Sequence, residues 1–198
     1  MATIALFHSV YGLRPAVLDA AERLRHAGHV VVAPDLYGGS VADALDEGFA
    51  LSERIGWETI MRRARQALAG LPDATVLAGL SMGTGVVGDL LPDRRETAGL
   101  LLLHGIGADP AAARPGLPVH LHIADPDALF PPATVTGWRD ALTDGGAAVW
   151  VHTYPAVGHL FTDPDTSDYD APAADLAWRR SLDFLAALDG DGDGSAPR

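Results

Sequence analysis

The sequence predicts an α/β fold, with one mainly parallel, doubly wound sheet flanked by helices on both faces. Three observations carry this expectation. Short apolar runs alternate with helical patterns along the chain. The runs are dense in Val, Ile and Leu with little polar alternation, as strands buried on both faces require. The chain has 198 residues, 48% hydrophobic and 20% charged, which suits one domain with a sizeable core.

Thr3–Phe7 reads as the first strand. A helix follows over Pro15–His26, with Pro15 suited to its first turn and Gly28 to its end. His29–Ala33 is the second strand. Gly38–Gly56 is a long connection with room for a short helix at Val41–Leu51; it leaves the carboxyl end of a strand, where it is placed to overhang a site. Trp57–Ala69 is helical, with Arg62, Arg63 and Arg65 read as a solvated face. Strand Ala74–Ala78, helix Gly83–Leu90, and strands Gly99–Leu103 and Val119–Ile123 come next. Helix Thr134–Leu142, strand Val149–Tyr154 and helix Ala171–Leu188 complete the alternation, and Trp178, Leu182 and Leu185 mark the core face of the last helix. One domain is expected over 1–188, followed by a flexible Gly/Asp-rich tail at 189–198. The tail's DGDGDG run resembles the start of a calcium loop, but the sequence ends before the carboxylate required at its twelfth position.

Composition excludes several chemistries. There is no cysteine, hence no disulfide, thiolate metal site or cysteine nucleophile. There is no lysine either, which removes Schiff-base chemistry and a P-loop lysine. A net charge of −12, without an offsetting arginine cluster, argues against nucleic acid. No apolar run is long enough to span a bilayer, and the first residues lack a basic leader and cleavage site, so a cytoplasmic protein is expected.

The segment VLAGLSMGTGVV, residues 76–87, carries two motifs. Gly83-Thr84-Gly85-Val86-Val87-Gly88 fits G-x-G-x-x-G, but a dinucleotide fingerprint begins directly after its strand and needs an acid closing the next. Here the strand is expected to end near Ala78, and the next strand ends at His104 with no carboxylate. Gly85 and Gly88 then read as small residues for helix–sheet packing, and no cofactor is implied. Gly79-Leu80-Ser81-Met82-Gly83 fits G-x-S-x-G, in which flanking glycines relieve the crowding of a strained serine between strand and helix. A serine nucleophile needs a base, and the base needs an orienting carboxylate. In the order this architecture requires, Asp125 and Asp127 follow one later strand and His159 follows another.

With these pieces in place, the chain resembles the dienelactone hydrolase family of α/β-hydrolases. The likeness runs through FHSVYGLRP, ERLRHAGHVVVAPDLYGG, GLSMGTG, HIADPDALFPP, YPAVGHLF and YDAPAADLAWRRSLDFL in order. The family's usual amino-terminal antiparallel strands have no counterpart, so a short form of the α/β-hydrolase fold is expected. The resemblance implies Ser81 as nucleophile, Asp127 as acid and His159 as base. Asp127 is preferred to Asp125 because the family acid stands four positions before a proline, here Pro131. It also implies oxyanion donors at the backbone of Met82 and Val10, flanked by Ser9 and Tyr11 in the substrate pocket; Tyr37, Phe130 and Leu160, on the adjoining site loops, are further pocket candidates.

Three departures from the family pattern bear on chemistry. Its best-known members use a cysteine nucleophile, controlled by a glutamate at the position of Ser9; serine at 81 removes the need for that control. An arginine four residues after the family histidine holds a substrate carboxylate, and here that position is Asp163. The expected substrate is therefore a small neutral or weakly polar ester or lactone, cleaved through an acyl-enzyme. Two other outcomes fit the same residues: a biosynthetic cyclase, isomerase or lyase using the same site, or a non-catalytic binding protein on this scaffold. A homodimer is left open.

Several further residues have structural readings. Asp35, in APDLYGG, reads as a loop organiser, and His8 as a residue bonding a neighbouring loop. His120 and His122 form H-x-H on a strand and so share a face, but no third ligand is apparent and no metal is expected. Tyr37, Trp57, Phe130 and Phe161 flank the candidate site loops, as pocket or as core.

Overall fold

The structure, a computed structural model, describes residues 1–107 and 109–190. Its strands are β1 (Thr3–Phe7), β2 (Val30–Val32), β3 (Val76–Leu80), β4 (Leu100–Leu103), β5 (Pro118–Asp125) and β6 (Ala148–Pro155). Its α-helices are α1 (Pro15–His26), α2 (Leu45–Ile55), α3 (Trp57–Leu68), α4 (Met82–Leu90), α5 (Pro132–Asp144) and α6 (Ala171–Gly190). The strands form a single sheet in the order β2-β1-β3-β4-β5-β6, and every pairing is parallel. This is the short, doubly wound sheet expected from the sequence.

Successive residues of the central strands serve opposite layers. Ile4, Leu6, Val76, Ala78, Leu101 and Leu103 pack with α1 and with Trp178, Phe184 and Leu185 of α6. Ala5, Phe7, Leu77, Leu100 and Leu102 pack with α3, α4 and α5. Both sets are apolar because both faces are covered, which erases the alternation of a half-solvated strand. All four leucines of β4 are fully buried, each contributing about 2 kcal/mol of transfer free energy.

The chain passes from β1 outward to β2, then back across to β3, so strand order reverses between β1 and β3. The crevice at the carboxyl ends there is where open α/β sheets bind ligands. The residues just past β1 and β3 are Ser9–Tyr11 and Ser81.

Several boundaries differ from expectation. β3 extends to Leu80, so Gly83 follows it closely, and strand position no longer argues against the G-x-G-x-x-G reading. The next strand still ends at His104 without an acid. In the 38–56 connection the helix starts at Leu45 rather than Val41, because Ala42 N–H instead bonds Tyr11 carbonyl at 3.0 Å. Glu47 then accepts from Asp43 N–H at 2.9 Å, and Asp46 and Glu47 fill the first turn, where the helix dipole favours acids. Arg62 and Arg65 are solvated as expected, whereas Arg63 is half-buried and donates to Leu36 carbonyl at 2.7 Å. α6 continues through Gly190, two residues beyond expectation, and the rest of the tail lies outside the described residues. No helix among the described residues is long and apolar enough to cross a membrane.

Candidate active site

Ser81 caps the amino end of α4 at φ 49°, ψ −110°, a left-handed backbone region that L-residues rarely hold. The turn exists because Gly79 and Gly83 face each other across it; a Cβ on Gly83 would strike the carbonyls of Phe7 and His8, and a Cβ on Gly79 would strike Gly83. Gly83 is thus the close-packing glycine. Contrary to the expectation that Gly85 packs on the sheet, it faces the Trp57 ring at ordinary contact distance.

Three side chains far apart in sequence meet at this rim. Ser81 Oγ lies 2.9 Å from His159 Nε2, and His159 Nδ1 lies 2.8 Å from Asp127 Oδ2. The second Asp127 oxygen accepts from Leu129 N–H at 2.8 Å and Phe130 N–H at 3.1 Å. Burial alone would raise the Asp127 carboxyl. The bond and charge of His159, with the two backbone donors, outweigh that and hold it below the ordinary carboxylate value. Asp125 is exposed at the end of β5, away from the imidazole, so geometry selects Asp127 of the two.

The loop past β1 is fixed from three sides. Ser9 Oγ accepts from Tyr11 N–H at 3.4 Å. His8 accepts from Leu36 N–H at Nε2, 3.1 Å, and Nδ1 lies 2.7 Å from Ser9 carbonyl, so the ring is a neutral linker between loops, as read from the sequence. Burial depresses its pKa to about 4. From above, α2 presses Gly48 onto Val10; a Cβ there would lie 2.8 Å from Val10 carbonyl oxygen. Asp35 organises the adjoining loop by accepting from Tyr37, Gly38 and Gly39 N–H groups, also as expected.

Beside His159 opens a cavity of about 310 Å³ lined by Tyr11, Leu45, Leu129, His159, Leu160 and Asp168, among others. Of the expected pocket residues, Tyr11 and Leu160 line it and three do not. Ser9 is buried and faces a narrow void of about 20 Å³ on the α1–α6 side. Tyr37 is core, its hydroxyl donating to Met82 Sδ at 3.1 Å. Phe130 packs against the His159 ring at 6.1 Å between centroids and lines a separate cavity between β5, β6 and α5. Phe161 is wholly buried, and Trp57 is partly exposed with its indole N–H on Asp89 at 2.7 Å.

Asp163 also differs from expectation. It is buried and salt-bridged to Arg14, whose guanidinium lies 4.1 Å from the Tyr11 ring centroid, and it lines the narrow α1–α6 void rather than the cavity at His159. Its charge is therefore compensated. The acid at the cavity is Asp168, which accepts from Leu160 N–H at 3.0 Å and so also pins the histidine loop.

Sequence reasoning missed His104. It closes β4 at φ 65°, its Nε2 lies 2.7 Å from Thr162 Oγ1, and its ring lies 6.1 Å from that of His159. Full burial, then the neighbouring His159, push its pKa down to about 3, so it braces the His159 loop as a neutral group. The signal was available: a polar residue closing an all-leucine strand at the same rim as Ser81.

Comparison with known proteins places the chain among related sequences and folds. The chain is 27% identical to the carboxymethylenebutenolidase of Pseudomonas putida, over 93% of this chain and 85% of that one. It superimposes with a TM-score of 0.73 on a dienelactone hydrolase-like promiscuous phosphotriesterase from metagenomic libraries, at 20% identity over 95% of this chain and 87% of that one. The TM-score is 0.64 for esterase PE8, at 20% identity over 94% and 92% of the two chains. The sequence model of the dienelactone hydrolase family matches residues 1–188, and the chain belongs to that family of hydrolases.

Proposed function

We propose that the protein is a serine hydrolase that cleaves small uncharged carboxylic esters or lactones through an acyl-enzyme. The observation carrying this reading is the unbroken relay from Ser81 to His159 to Asp127, with both links at 2.8–2.9 Å. His159 takes the Ser81 proton as the hydroxyl attacks the carbonyl, while Asp127 fixes the imidazole tautomer and stabilises the imidazolium. The backbone N–H groups of Val10 and Met82 receive the oxyanion, each worth about 3 kcal/mol in the transition state. The alcohol leaves with the proton from His159. Water, deprotonated by the same imidazole, then resolves the acyl-serine.

Preference for an uncharged substrate follows from the cavity. Its lining is mainly apolar, through Leu45, Leu129, Leu160 and Tyr11, and its one carboxylate, Asp168, disfavours an anionic substrate. Turnover of p-nitrophenyl acetate tests the reading. The wild-type chain should hydrolyse it and Ser81→Ala should not. An acyl chain of similar length bearing a free carboxylate should react about tenfold more slowly or worse. Equal turnover by Ser81→Ala would refute the mechanism.

A further inference from the structure

On the α6 face of the sheet, β4 places Leu101 and Leu103, but β5 places His120 and His122. In the neighbouring strand, His152 stands directly opposite His122 in register. One ring nitrogen from each of the three lies within 4.8 Å of the other two. The third ligand absent from the sequence pattern is therefore supplied by strand pairing.

We propose that His120, His122 and His152 form a binding site for a divalent transition-metal ion of the zinc class, separate from the Ser81 relay. His152 Nε2 and His120 Nδ1 are 3.4 Å apart. Tetrahedral Zn–N bonds of about 2.0–2.1 Å place two ligand nitrogens about 3.4 Å from each other, so this pair already has ligand spacing. His122 completes the set within 4.8 Å and must close on the other two for one ion to reach all three. Ser181 Oγ donates to Ala177 carbonyl at 2.8 Å, which leaves its oxygen to accept from His122 Nε2–H at 3.2 Å. That tautomer leaves the lone pair on Nδ1, now 2.8 Å from the Tyr154 hydroxyl. A metal ion would replace that hydroxyl hydrogen, while Ser181 would keep orienting the ring, as outer partners of metal-bound histidines do.

The surroundings suit ligation. His120 is stacked on Phe184 at 4.1 Å, which limits the ordering still required. His120 and His152 open on a cavity of about 380 Å³ that also holds Trp150, Arg180 and Asp183. A fourth ligand, water or a small anion favoured by Arg180, has room there. Three imidazoles with one open position are an established zinc arrangement.

Calorimetric titration of the full chain with Zn²⁺ at neutral pH tests this. One ion per chain should bind, and His120→Gln and His152→Gln should each weaken binding about tenfold or more, with p-nitrophenyl acetate turnover unchanged. His159→Gln should leave the same Zn²⁺ binding in place. Co²⁺ provides a readout on the unaltered chain, so the result does not depend on any variant folding: intense visible bands of a four-coordinate ion are expected. Failure to bind one ion, binding lost only in His159→Gln, or a weak six-coordinate cobalt spectrum would each overturn the site. None of these outcomes bears on the ester mechanism, which Ser81→Ala tests separately.

Discussion

His152 lies within β6 and His159 just past its end, and the two imidazoles have opposite neighbours. His159 stands on a loop between a serine hydroxyl and a buried carboxylate. His152 stands on a strand between two other imidazoles, those of His120 and His122, near Arg180. A base needs a carboxylate to stabilise its charged form and a proton donor to work on. A ligand needs lone pairs and near neighbours of its own kind. The same side chain is suited to one task or the other by what the strand ends and strand faces put beside it.

The sharpest way to break that contrast is to empty the rim. Ser81→Ala should lower kcat for p-nitrophenyl acetate by about 10⁶-fold with the fold intact, read by steady-state kinetics beside circular dichroism. Asp127→Asn leaves His159 without its carboxylate, like the strand histidines, and should cost about 10⁴-fold in kcat. Gly48→Ala tests the roof over Val10. The added methyl, 2.8 Å from Val10 carbonyl oxygen, should shift the loop proposed to receive the oxyanion and lower kcat about tenfold with KM nearly unchanged.

Two buried, neutral histidines, His8 and His104, sharpen the comparison through stability. His8 titrates near 4 and His104 near 3 in the folded chain, against 6.5 when unfolded. Between those values the unfolded state binds protons that the folded state refuses, so stability is full above about pH 6.5 and falls as pH drops toward 4. For His8 the loss amounts to about 3 kcal/mol. Urea unfolding across that window should show the decline, and His8→Gln should flatten part of it.

Much of this was legible in the sequence. Buried parallel strands betray themselves as apolar runs, and β1 and α1 were found at their observed limits because Phe7 closes its run and Pro15 opens the helix. The relay was legible because Ser81, Asp127 and His159 each follow a strand at the same sheet edge. What escaped depends on geometry that one chain does not spell out. Whether His152 joins His120 and His122 depends on the β5–β6 register. Whether Asp163 or Asp168 faces the cavity depends on the path of an irregular loop. Tyr37 and Ser9 were expected at the pocket because they adjoin it in sequence, yet their side chains turn into the core and the α1–α6 void.

A fluorophosphonate probe, followed by peptide mass spectrometry, addresses the relay most directly. A single adduct should form on Ser81 and be absent in Ser81→Ala, and labelling should slow about 10³-fold or more in folded His159→Ala. An adduct elsewhere, or labelling of Ser81 that proceeds unchanged without His159, would contradict the account.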